Sequence, residues 1–477
     1  MSESTPAVEV GKPSPIARGQ AAVSAALDKI GFNRAHKFIL AMVLFGAFFD
    51  VMEENAMGAV GPMLQELWNI TTPEVALLQT ATILSMIAGK FVTGILGDFK
   101  GRKFALSVNL AVYCLGALIC ALAPGYAVLL IGRIIVGIGL GGEIAAAITI
   151  LSELVATKYR GSVVASVNIG AGGLGNMLSF GFAALILGPM TNFFGGPESS
   201  WRWMFGLLVL PAAMVMVYRR YLPETPRFLL SQGDRDGANR TLSILASARL
   251  GNRHPVITEY VPAGADGSIV KPERPRLTEV FRGELLKRTA AIGVASWMSF
   301  GAQSTVLVLM PVILVGQGMS ITNSLVFTMI MNIGSFLGAV FAAWTAQRFR
   351  RRIVMTYGAI AACAAALAFV YLGTTPALVL LFGGIFQFCV LLQNSTIFCW
   401  SPELFPTRIR AFGTAVIAMQ GNIAGALVPL IGAIVYEIGG VTALFTMIAA
   451  MYVISAIVVR FAPETFGLDL EEVSDED

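Results

Sequence analysis

Ser152-Glu153-Leu-Val-Ala-Thr-Lys-Tyr-Arg160 returns 250 residues later as Pro402-Glu403-Leu-Phe-Pro-Thr-Arg-Ile-Arg410. Two more stretches echo in the same order. Asp98-Phe-Lys-Gly101-Arg102-Lys103 matches Gln347-Arg-Phe-Arg350-Arg351-Arg352 at an offset of 249, and Pro223-Glu224-Thr225 matches Pro463-Glu464-Thr465 at an offset of 240. Three anchors in one order at nearly one spacing mark an internal duplication. The chain reads as two copies of one unit in tandem.

The anchors lie between apolar runs. Hydrophobic residues make up 56% of the 477 and charged residues 13%, with a mean hydropathy of +0.74. A soluble domain carries about 25% charged residues, so the composition excludes soluble domains, a disulfide scaffold, a disordered chain and a nucleic-acid binder. It describes a polytopic, all-α membrane protein. A spanning helix needs about 20 mainly apolar residues. Twelve candidates satisfy this, near 37–63, 75–97, 103–123, 126–150, 161–189, 201–222, 289–315, 320–346, 353–373, 376–401, 411–436 and 440–461.

The basic residues check that count, because loops on the cytoplasmic side collect Lys and Arg. Lys100, Arg102 and Lys103 follow the second candidate, Lys158 and Arg160 the fourth, Arg348 to Arg352 the eighth, Arg408 and Arg410 the tenth. Of 33 basic residues, only Lys90, Arg133 and Arg202 fall elsewhere than the expected inner side. The expected organisation is a cytoplasmic lead (1–36), a six-helix bundle (37–222), a cytoplasmic linker (223–288), a second six-helix bundle (289–461) and an acidic cytoplasmic tail (462–477). The lead is polar and basic, without a signal peptide. All five cysteines sit inside apolar runs, so no external disulfide is expected. The location predicted is the plasma (inner) membrane, multi-pass.

Two parallel six-helix repeats are the plan of the major facilitator superfamily, and the chain resembles it over about 27–472. Gly94-Ile-Leu-Gly-Asp98-Phe-Lys-Gly101-Arg102-Lys103 resembles that family's second–third loop motif. Pro223-Glu224-Thr225-Pro226-Arg227, Glu403-Leu-Phe-Pro406-Thr-Arg-Ile-Arg410 and Pro463-Glu464-Thr465-Phe-Gly467 look like its sugar-porter and organic-ion-porter side. Leu27-Asp28-Lys-Ile30-Gly31-Phe32, Asp50-Val-Met52-Glu53 and Gly141-Gly142-Glu143 resemble metabolite:proton symporters, among them synaptic-vesicle and niacin transporter relatives. The resemblance implies a substrate site between the halves at mid-membrane. It also implies a cytoplasmic gate in which Asp98 with Arg102, Glu153 with Arg160, and Glu403 with Arg410 link the bundles around Gly101 when the site faces outward and part as it opens inward. The seventh candidate reads Gly301-Ala302-Gln303-Ser304-Thr305, without the paired glutamines and tyrosines of sugar porters, which makes a sugar less favoured.

Six ionisable residues lie at membrane depth: Asp50, Glu53, Glu54, Lys90, Arg133 and Glu143. Each costs about 2.5–3.5 kcal/mol at a helix centre unless it has a partner or a watery cavity. Asp50, Glu53 and Glu54 share one helix face. Such acids suit proton coupling, with Asp50 first and Glu53 next, or interhelical ion pairing; Glu143 belongs to the same expected path or caps a polar contact between helices. Arg133 offers a planar fork for a substrate carboxylate, as the resemblance implies, or a fixed ion pair with a first-span acid. Lys90 is expected to pair with Glu54 or Glu53, and both cations are substrate-site candidates. Trp297, Gln303 and Gln393 complete the candidate substrate site, while Asn168, Asn332, Gln387, Asn394, Gln420 and Asn422 fit interhelical hydrogen bonding.

The expected function is proton-coupled symport of a small organic metabolite by alternating access, first a carboxylate such as an aromatic or nicotinate-like acid. An organic cation, a sugar or polyol, and a non-transporting sensor on the same fold are the alternatives. No nucleotide loop, metal cluster or cofactor motif is present in the sequence, so an enzyme is not expected. The partners expected are substrate, protons and the lipid bilayer, with no nucleic acid, for a monomer.

Overall fold

The computed structural model describes residues 15–210, 217, 220–251, 256–262, 277–406 and 409–466. Among them there are helices and no strands. Ten helical stretches are long and apolar enough to cross a membrane. Nine answer single candidates. The tenth, Phe412–Phe461, holds the eleventh and twelfth together, joined without a loop at Gly440 (φ 66°, ψ −163°). The helix reverses there, since Leu444 reaches back to Gly432. The sixth candidate begins as the helix Pro197–Leu207 and continues into residues outside those described. Among the described residues eleven of the twelve candidates are formed, and the sixth in part.

Local sequence fixes the helix ends. Asn33 caps the first span (Arg34–Trp68), and His36 returns a capping bond. Thr71 and Glu74 form the same capping box at the second (Thr72–Lys100). Gly101 separates the second and third spans at φ 97°. A side chain there would strain the backbone and also strike the carboxylate of Glu224. The fifth span is interrupted by a π-helical turn at Ile169–Gly175, where Gly173 packs on Phe336 of the eighth.

Apolar packing follows the duplication. One buried cluster draws on Val23 to Val261 with Leu325, a second on Ala76 and Ala302 to Tyr452, and a third on Val280 to Ala462. Within each half, helices meet at glycines. Added side-chain carbons at Gly137 and Gly141 would strike Thr82 and Met86 of the second span, and those at Gly334 and Gly338 would strike Gly384 and Phe388 of the tenth. The halves touch each other away from the basic loops. Gly58 lies against Leu307, Gly61 against Val312, and the Thr80 hydroxyl donates to the Ala426 carbonyl at 2.6 Å.

Candidate functional site

The first span carries the acids inward because its other face is taken up by packing. Asn55, one residue beyond Glu54, donates to Asn176 and Ser179 of the fifth span at 2.9 and 3.0 Å. That fixes the rotation of the helix. Glu53 then meets the fourth span (Tyr126–Leu154), where Arg133 Nη1 contacts its Oε1 at 2.6 Å with both side chains fully enclosed. Arg133 Nε donates to Thr82 at 2.9 Å, Nη2 approaches the Glu53 carbonyl at 3.4 Å, and the Phe205 ring lies 5.9 Å from the guanidinium carbon. In this state Arg133 is engaged by the protein on all three nitrogens.

Three helical turns along the fourth span, Glu143 comes beside Asp50. Both are buried, and the two carboxyl groups interact directly. Both oxygens of Asp50 and Oε2 of Glu143 lack a hydrogen-bond donor. Glu54 and Lys90 behave differently. Each is half-buried, and the expected ion pair of Lys90 with Glu54 or Glu53 is not formed: no ion pair within 4.0 Å reaches either Lys90 or Glu54 among the described residues. Glu53 is already held by Arg133, and Lys90 sits on the second span's face toward the other half.

The second half contributes amides. Asn394 donates to Gln303 Oε1 at 2.5 Å, joining the seventh (Gly283–Gly316) and tenth (Pro376–Trp400) spans. Gln393 is fully buried, and neither its Oε1 nor its Nε2 has a partner. Trp297 is half-buried on the seventh span. Gln387 donates to Asn332, which itself bonds Thr328 and Ser335, so that pair links the eighth and tenth spans. The side chain of Asn168 lies outside the described residues.

At the basic end the structure shows further pairs. Arg102 lies 3.8 Å from Glu153, while the side chains of Asp98 and Arg160 lie outside the described residues. Glu403 pairs with Arg351 at 3.0 Å, and Arg410 Nε donates to the Phe405 carbonyl. The described pairs join loops of the same half. In each half the loops converge at one helix start. Glu224 accepts from the backbone of Arg102 and Lys103 at 3.1 and 3.3 Å, capping the third span. Glu464 accepts from Arg351 and Arg352 at 2.9 and 3.0 Å, capping the ninth. A carboxylate at a helix start satisfies free amides and the helix dipole together. Sequence reasoning used both glutamates as repeat anchors and gave them no role; their shared position in the repeat was the available signal. Burial raises the Glu224 carboxyl above the usual range, against the lowering pull of the Thr225, Lys103 and Arg102 amides.

The chain matches the family described as Sugar (and other) transporter over residues 36–476. It is 26% identical over 456 residues to the niacin transporter NiaP of Acinetobacter baylyi, covering 94% of this chain and 98% of that one. It is 24% identical over 491 residues to organic cation/carnitine transporter 7 of Arabidopsis thaliana, covering 94% and 96%. The xylose transporter XylE from E. coli, in a partially occluded inward open conformation, superimposes with a TM-score of 0.71 at 17% identity, covering 91% of this chain and 99% of that chain.

Proposed function

We propose, from the premise that this chain belongs to the Sugar (and other) transporter family and is a multi-pass membrane transporter, that it couples proton entry to uptake of a small organic metabolite. The observation that carries the coupling is Asp50 beside Glu143, buried together with three oxygens lacking donors. Two carboxyl groups facing each other in a dry site cannot both hold a charge without large cost. A proton is the partner that satisfies them. Loss of that proton on one side of the membrane, and its recovery from the other, is what coupling requires. Glu53 is already committed to Arg133, which leaves the proton to Asp50 and Glu143.

The substrate class we favour is a small carboxylate, in line with the niacin carried by the Acinetobacter baylyi relative. Its anchor is Lys90, since Arg133 is enclosed in this state. Alternating access runs between the halves, with the basic loops on the cytoplasmic side. The halves touch away from those loops, so this state opens toward the cytoplasm.

The test is uptake by proteoliposomes under an imposed pH gradient, with nicotinate and related carboxylates as cargo. Inward proton flow should raise accumulation above the level without a gradient. A sodium gradient serves as control, and equal rates under no gradient would remove the proton from the reading. Asp50→Asn is expected to abolish gradient-driven accumulation while keeping substrate counterflow.

A further inference from the structure

Glu54 and Lys90 are charges at membrane depth that feel one another electrostatically but form no hydrogen bond and no ion pair within 4.0 Å among the described residues, and they are not sealed in. Both residues are half-buried and their ionised atoms are not fully enclosed, unlike those of Asp50, so both reach open space. Their positions say which space. Glu54 is one turn before Gly58 and two before Gly61, which meet Leu307 and Val312 of the seventh span. Lys90 is two turns beyond Ile83, whose side chain lies near Gly425 of the eleventh. Both therefore stand on the faces that meet the second half, on the basic-loop side of its closure. Gln303 is one turn before Leu307, at the level of Glu54. Its Oε1 is taken by Asn394, and its Nε2 makes no hydrogen bond among the described residues.

An anion alone would satisfy Lys90 and leave Glu54 charged and repelled. A cation alone would do the reverse. We propose that Glu54 and Lys90 together select a zwitterionic metabolite, with Glu54 taking its cationic nitrogen, Lys90 its carboxylate, and Gln303 Nε2 an added donor. This rests on the transport-site reading above and sharpens the carboxylate class to one that also carries a positive nitrogen. Opposite charges set apart in a low-dielectric cavity reward a ligand bearing both and penalise either charge alone.

The experiment is calorimetric titration of the purified full-length protein with two probe sets. On a pyridine ring these are N-methylnicotinate (zwitterion), nicotinate (anion) and N-methylnicotinamide (cation); on an aliphatic scaffold they are glycine betaine, acetate and choline. In at least one set the zwitterion should bind roughly tenfold tighter than both single-charge analogues. Glu54→Gln should bring the zwitterion down to the anion's affinity and leave the anion unweakened. Lys90→Gln should bring it down to the cation's affinity. The double variant Glu54→Lys with Lys90→Glu should keep the preference, which covers the case of a single variant that does not fold. Absence of a zwitterion preference in both sets, including absence of binding, overturns the proposal. So does equal weakening of nicotinate and N-methylnicotinate by Glu54→Gln. Proton-driven accumulation of nicotinate without any zwitterion preference would overturn this inference alone and leave the transport reading standing.

Discussion

At the scale of single residues, the Arg133–Glu53 pair separates two uses of charge inside a membrane. Removing one partner of a buried pair leaves an uncompensated charge, which costs about 3–5 kcal/mol. Arg133→Ala should therefore lower the melting temperature of the detergent-purified protein by several degrees, and Glu53→Gln should do the same. The double variant Arg133→Leu with Glu53→Leu should recover much of the loss, because no charge is then stranded. If Arg133→Ala melts like the parent but loses anion binding, the arginine is a substrate anchor. The sequence could show that Arg133 needed a carboxylate. It could not show which one, since Asp50, Glu53 and Glu54 lie within about a 100° arc and helix rotation is set by Asn55 with Asn176 and Ser179, from another span.

Helices and their ends raise a different question, that of how each half is held at its basic end. Glu224 and Glu464 each tie the close of one six-helix unit to the start of that unit's third helix. Glu224→Gln keeps the shape and weakens the acceptor, and should cost roughly 1 kcal/mol in the first half. Its pH signature is distinctive. With its carboxyl raised above the unfolded value, ionising Glu224 in the folded state costs stability, and that cost develops as pH rises from the ordinary carboxylate range through the raised value. Melting followed from pH 4 to 7 should show this loss in the parent and less of it in Glu224→Gln. An unchanged profile would remove Glu224 as its source. The helices themselves were legible from apolar run length and basic loops. Their capping was not, because it depends on segments more than 100 residues apart meeting at one end. The pairing of Glu403 with Arg351 was missed for the same reason: spacing within a loop suggests Arg410, while folding brings in the loop before the ninth span.

For the whole molecule, the duplication was the clearest message in the sequence and remains the frame of the structure, down to Pro62 and Pro311, which sit 249 residues apart inside the first and seventh spans. What it could not disclose was which ends of the halves meet. Contacts such as Thr80 with Ala426 answer that for this state. Cysteines placed at 80 and 426, in a background lacking the five native ones, should cross-link on oxidation, stop uptake and release it on reduction. Uptake that continues unchanged in fully cross-linked protein would mean the halves need not part there.

The reversal at Gly440 bears on how the chain is made. With one non-helical residue between them, the last two spans have no segment that can cross the bilayer separately. Such a tight hairpin is expected to enter the bilayer as one unit. An epitope inserted after Gly440 should arrest assembly at that step and expose the protein to proteolysis, whereas the same insertion at residue 233, in the loop following Pro226–Ser231, should be tolerated.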